Sequence, residues 1–199
     1  MAGPDAKSTL HRYLAQARDA VLWKLEGLGE YDVRRPMTPT GTNLLGLVKH
    51  LAIVESGYFG VVFDRPFPET EHWFEEHTEP EADLWAAAEE SREGIVDLYT
   101  RAAAHSDATI DALDLDAAGR VPHWPAERAE VTLQQILVHM TAETHRHAGH
   151  ADIVRELLDG AAGLRRDHSN LGNLAAAQRQ GHVARLEREA RRATQASRG

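Results

Sequence analysis

Apolar residues recur every three or four positions over most of the chain. That is the period of one face of an α-helix, and no run alternates as a half-buried strand does. The first predicted helix runs from about Ser8 to Leu28, with Leu10, Leu14, Ala17, Val21 and Leu25 on one face and Gly27 and Gly29 around its end. Tyr31 to Gly41 contains Pro36, Pro39 and Gly41 and reads as a loop. The second helix runs from Thr42 or Asn43 to Phe63 and is apolar nearly all round, as a helix buried on several sides is. A third is predicted over Glu81–His105, through Leu84, Ala88, Ser91, Ile95, Leu98 and Ala102. The fourth starts at Thr132, a capping residue, and ends at Asp159-Gly160. Its inward stripe is Leu133, Ile136, Met140, Glu143, His147, His150, Val154 and Leu157. Asp64–Pro80 and Val121–Pro125 read as loops, and Ala175–Ala193 is helix-compatible and rich in arginine. The pattern predicts an all-α fold: a four-helix bundle over residues 8–160, then a basic C-terminal extension over 161–199 that packs on the bundle or trails from it.

Charge sharpens that division. The net −9 is made of an acidic body and a basic end, since residues 161–199 hold eight arginines against three acids. The rest of the chain carries −14, which makes nucleic acid an unlikely partner, because binding it needs a basic face. No secretory leader and no membrane-spanning run are visible in the sequence, so a cytoplasmic location is expected. The chain has 12 histidines and no cysteine. A disulfide framework, a thiolate metal site and a protein thiol nucleophile are therefore excluded. The His-Glu-x-x-His protease motif, a glycine-rich phosphate loop and the Gly-x-Ser-x-Gly elbow are absent. A di-iron centre needs a histidine three residues after an inward glutamate, and here Arg146 follows Glu143 at that spacing.

Ligand sites in helical bundles are built from polar side chains that face inward. An ionised glutamate in an apolar stripe is costly without compensation, and Glu143 and His147, four apart, share one helix face. Together they can hold a cation, or form a buried hydrogen bond with each other without one. His50, set between Leu47 and Val54, borders the inward face of the second helix and is the candidate third ligand. His150 is one turn after His147 and reads as a partner behind the ligands, as a substrate contact or as a fourth ligand. His139 leans away from the stripe and His145 faces elsewhere, while His123 and the remaining histidines carry no assignment. Arg146, Arg155 and Asp152 read first as ordinary surface charge on a long helix, and otherwise as side chains that help hold a polar cosubstrate. Trp73, Phe74 and Trp124, in predicted loops, either wall a substrate pocket or simply anchor their loops.

These residues carry a family resemblance. The run Thr42-Asn43-Leu44-Leu45-Gly46-Leu47-Val48-Lys49-His50-Leu51, with Glu55, then Gly57-Tyr58-Phe59-Gly60 and Arg65-Pro66-Phe67-Pro68, is one part of it. Leu137-Val138-His139-Met140 with Glu143-Thr144-His145-Arg146-His147-Ala148-Gly149-His150-Ala151-Asp152 is the other. The chain resembles the DinB-like metal-binding four-helix proteins, closest to the branch of the mycothiol-dependent maleylpyruvate isomerase and the mini-circle proteins. The resemblance spans about residue 8 to about residue 190. It implies a divalent metal on His50, Glu143 and His147, with Glu143 where many relatives carry histidine. Zinc is the expected metal, and an O/N site also suits Ni, Fe or Mn. The resemblance further implies mycothiol, a low-molecular-weight thiol, as cosubstrate and a small electrophile as its acceptor. The expected activity is a thiol S-transferase or a thiol-dependent isomerase. A metal-dependent hydrolase and a non-enzymatic metal-binding module are the alternatives, and a homodimer is compatible with all of these.

Overall fold

The structure is a computed structural model that describes residues 5–71, 73–169 and 171–196, without the side chains of Phe74 and Ala196. Helix α1 spans Ala6–Leu22 and starts where the Asp5 carboxylate accepts the Ser8 N–H at 2.9 Å. Asp5, not Ser8, is therefore the cap, and the helix tightens into a 3-10 turn at Trp23–Leu25 instead of continuing to Leu28. The predicted loop after it holds a short helix, α2, at Glu30–Arg34. Helix α3 spans Leu44–Phe59, and a 3-10 turn at Val61–Phe63 follows. Trp73 belongs to a one-turn helix, α4 (Trp73–Glu76), rather than to a loop.

The third long helix departs most from the sequence pattern. Helix α5 spans Arg92–Ala112, and Ser91 caps it by accepting the Gly94 N–H at 3.0 Å. The predicted stretch before Ser91 is a 3-10 turn at Ala82–Leu84, entered through Glu81 at φ 62°, followed by a loop. Leu84 and Ala88 matched the helical period by coincidence, and the cap decides where the helix begins.

Two three-residue strands, β1 (Ala118–Arg120) and β2 (Glu130–Thr132), pair antiparallel with Gly119 opposite Val131. Three residues are too few to show a period of two, so the sequence pattern missed them. A Cβ at Gly119 would lie 2.7 Å from the Phe63 ring and 2.8 Å from the Val62 carbonyl oxygen, so only glycine lets β1 approach that turn. The ribbon carries the loop with His123 and Trp124, and a one-turn helix, α6 (Ala126–Ala129), leads into β2. Helix α7 spans Leu133–Asp159, capped by Thr132 and closed by Gly160 at φ 80°.

Helix α3 packs against α5 and α7, and α1 packs against α7. Two apolar clusters form between them. Leu14, Phe59, Ile110, Ile136 and Met140 lie in one, while Val21, Leu47, Leu51, Tyr99 and Val154 lie in the other. Along α1, α3 and α7, the polar residues Arg18, Glu55 and Glu143 fall at the seam between the clusters. The run Leu44–Phe63 is long and apolar enough to cross a bilayer, but 72% of its most apolar window is buried inside the protein.

The stripe predicted for α7 needs a correction at its far end. His150 is exposed, and Leu157 is 63% exposed. A spacing of seven residues per two turns drifts by about 20° per heptad on a straight helix. The buried face has moved by then to Thr144, Ala148, Ala151 and Arg155. The chain divides into two compact units, Met1–Ser169 and Asn170–Gly199. The second contains the exposed helix α8 (Ala176–Ala196).

Candidate metal centre

The placement of His50 begins at the start of α3. Asn43 caps the helix by accepting the Gly46 N–H at 2.7 Å, and its amide donates to the Leu84 carbonyl at 3.1 Å. A Cβ at Gly46 would collide with that same carbonyl oxygen, so the absence of a side chain lets the Ala82–Leu84 turn seat against α3. The turn thereby delivers Asp83 to His50, with Asp83 Oδ2 2.6 Å from His50 Nδ1.

Helix α7 supplies the other two side chains. Glu143 and His147, one turn apart, bring Oε1 and Nε2 to 2.9 Å. The remaining nitrogen of His50, Nε2, is 3.9 Å from the same glutamate oxygen. One donor atom from each of the three residues lies within 4.8 Å of the others. The His50 and His147 rings meet edge-on, 4.8 Å between centroids.

Electrostatics sets the protonation states. Burial pushes the Glu143 carboxyl up, but His147, Arg146 and His50 outweigh it and hold the group below the usual carboxylate range. Burial and the neighbouring His50 hold the His147 imidazole below its ordinary value, against the pull of Glu143. At neutral pH a carboxylate therefore faces a neutral imidazole, the ionisation state in which both are ligands. The donor set fits a divalent cation in a further respect. Metal-binding histidines usually donate their second ring N–H to a carboxylate, and Asp83 stands at that nitrogen of His50.

A cavity of about 550 Å³ opens beside these donors, with His50 and Glu143 in its wall. His150 is not among the converging donors. Its Nδ1 lies 3.4 Å from His147 Nδ1, the ring nitrogen that points away from Glu143. The exposed Arg146 guanidinium is 3.7 Å from Glu143 Oε2. Trp124 is half-buried and donates its Nε1–H to the Tyr58 hydroxyl at 3.1 Å. Arg155 and Asp152 are engaged elsewhere: Arg155 donates to the Lys24 and Glu26 carbonyls, and Asp152 pairs with the buried Lys24 ammonium at 2.9 Å. Trp73 stacks on His77, and the Phe74 side chain lies outside the described residues.

Four residues at the site escape the sequence pattern. Asp83 falls within a predicted helix but lies in a 3-10 turn. Tyr58, on the helix that reads as apolar nearly all round, His139, which leans away from the stripe, and His123, which carries no assignment, all line the cavity. His139 sits four residues before Glu143, a spacing that could have flagged it. Asp83→Asn is expected to lower metal affinity about 10- to 100-fold, because the carboxylate that orients His50 is gone. Competition with a chromogenic chelator measures it, and unchanged affinity would show that Asp83 does not orient a ligand.

Comparisons with known proteins bear on the same region. A family model described as mycothiol-S-transferase matches residues 9–160, a range that contains the three converging donors and Asp83. Among solved structures, the chain is similar to a conserved protein of Enterococcus faecalis known from a crystal structure. The TM-score is 0.62 at 18% identity, over 79% of this chain and 99% of that one. At that identity the likeness is one of fold. No curated protein matches the chain.

Proposed function

Since the chain belongs to the mycothiol S-transferase family, we propose that it holds a divalent cation on His50, Glu143 and His147 and transfers a mycothiol-type thiol to a small electrophile in the cytoplasm. On this reading the four long helices are a DinB-like bundle built around that site, with the basic segment beyond residue 160 an appendage to it. The observation that carries the proposal is the convergence of the three donors at an open cavity, in a chain that has no cysteine of its own. A cation bound there supplies positive charge that lowers the pKa of a coordinating thiol, making it a thiolate at neutral pH.

The chain's own residues do the rest. Two imidazoles and one carboxylate offset a single positive charge, so a divalent cation keeps a net charge of about +1 for an anionic sulfur. Three protein donors leave room for that sulfur, as in catalytic rather than structural sites. His139 lines the cavity one turn before Glu143, and burial holds its imidazole below the usual range, so it is neutral and can take the thiol proton. Burial raises the Tyr58 phenol, keeping it protonated. Since Trp124 donates to the Tyr58 oxygen, the phenol's own proton serves another acceptor, and His123 Nε2 stands 3.4 Å from that hydroxyl. On this reading the electrophile's oxygen or its departing group takes the place of His123 as that acceptor. The sulfur lone pair forms the new S–C bond, and the leaving group departs with the electron pair of the bond it loses. An isomerase uses the same residues, with the sulfur added and then expelled.

Zinc-loaded protein incubated with mycothiol and monochlorobimane is expected to form the fluorescent thioether faster than the thiol alone. His139→Gln is expected to slow this about 100-fold without loss of zinc. No turnover above background with zinc bound would sink the proposal, and turnover that survives without thiol would assign a hydrolase instead.

A further inference from the structure

The cavity beside the donors has a definite chemical character. One face of α3 forms much of its wall, since His50, Ile53, Val54, Gly57 and Tyr58 follow the spacing of a single helix face. Val61, Val62 and Pro122 extend the apolar lining, and the Tyr58 and His139 rings, 4.7 Å apart, give it an aromatic side. Gly57 sits in the last turn of α3 within this wall, and a Cβ there would meet nothing within 4 Å, so the space in front of it is open. A long side chain at this position would enter that space. A volume of about 550 Å³ is within the ordinary range for small-molecule sites, roughly 300–1,000 Å³.

Charge limits what can enter. Glu71 and Glu75 stand in the lining with Glu143, and Asp83 backs His50. No lysine or arginine lines the cavity among the described residues. The Arg146 guanidinium, 3.7 Å from Glu143 Oε2, is exposed and is not part of the lining. Even against the two positive charges of a divalent cation, four carboxylates leave the region negative, and a thiolate adds to that. A substrate bearing its own carboxylate would meet like charge, whereas a neutral apolar one would not.

We infer that this cavity is the electrophile subsite, that it takes a neutral apolar group about the size of a substituted aromatic ring, and that Gly57 sets its size limit and Glu71 with Glu75 its charge limit. The inference rests on the thiol-transfer reading above and is tested separately from it. The probes are 4-methylbenzamide and 4-methylbenzoate, equal in shape and different in charge, titrated into zinc-loaded full-length protein by calorimetry. The neutral amide is expected to bind at least about tenfold more tightly than the carboxylate. Gly57→Leu is expected to weaken the amide at least tenfold while zinc content stays the same. The double variant Glu71→Gln/Glu75→Gln is expected to bring the two ligands within about threefold of each other. Absence of amide binding, equal or tighter binding of the benzoate, or a Gly57→Leu protein that binds as before overturns the inference. If this pattern holds while zinc-loaded protein turns over no thiol, the subsite stands and the transferase reading fails. If turnover occurs without the pattern, the reverse follows.

Discussion

Glu143→Ala is expected to lower zinc affinity on the order of a thousandfold and to abolish thioether formation. The carboxylate stands between the other two donors, 2.9 Å from His147 Nε2 and 3.9 Å from His50 Nε2. Without it, two neutral imidazoles on different helices remain and no anionic donor. Loss of an outer partner alone costs about 10- to 100-fold, and loss of a ligand must exceed that. The fold is expected to survive, because Glu143 is only half-buried and its neighbours are the site itself. Glu143→His returns a donor at the same position and is expected to restore most of the zinc. Zinc content after dialysis against a chelator checks both variants. Equal zinc in wild type and Glu143→Ala would show that the cation is held elsewhere.

Glu55→Gln carries the largest expected effect on stability. Glu55 is fully buried on α3, and its two oxygens take Arg18 Nη2 at 2.5 Å and Nε at 3.2 Å. Arg18, on α1, also donates to Asp107 on α5 at 2.7 Å, so one guanidinium ties three helices. Burial raises the Glu55 carboxyl, and Arg18 acts against it. A buried pair of this kind adds little beyond what apolar residues would give, but removing one partner strands the other charge and costs about 3–5 kcal/mol. For a chain of this length that is roughly 6–20 °C in Tm. Asp107 is partly exposed, so Asp107→Asn is expected to cost no more than about 1 kcal/mol. The double variant Arg18→Met/Glu55→Leu removes both charges and is expected to cost less than Glu55→Gln alone. Thermal unfolding of the three proteins measures this, and a Glu55→Gln protein as stable as wild type would contradict it.

Both polar features lie at the seam between the two apolar clusters, and they differ in how readable they were. Glu143 and His147 are four residues apart on a strongly periodic helix with a Thr132 cap and a Gly160 stop, so local spacing alone placed them on one face. His50 needed its apolar setting and a family resemblance, since nothing local links it to α7. Asp83 was out of reach. It is distant in sequence from the residues it serves, and the chance periodicity of Leu84 and Ala88 hid the turn that carries it. The Arg18–Glu55 pair was missed for a related reason: each residue sits among apolar neighbours on its own helix, and only packing brings them together. His150 and Leu157 erred in the opposite direction, because a seven-residue spacing carried to the end of a long helix leaves the buried face.

X-ray absorption at the zinc edge of the loaded full-length chain, before and after addition of mycothiol, tests the thiol-transfer reading most directly. The chain contains no cysteine, so a thiolate scatterer on the zinc has to come from the added thiol. The expected result is a shell of nitrogen and oxygen alone before addition and a new sulfur at about 2.3 Å after it. An unchanged shell after addition, with zinc still bound, would contradict activation of the thiol at this site.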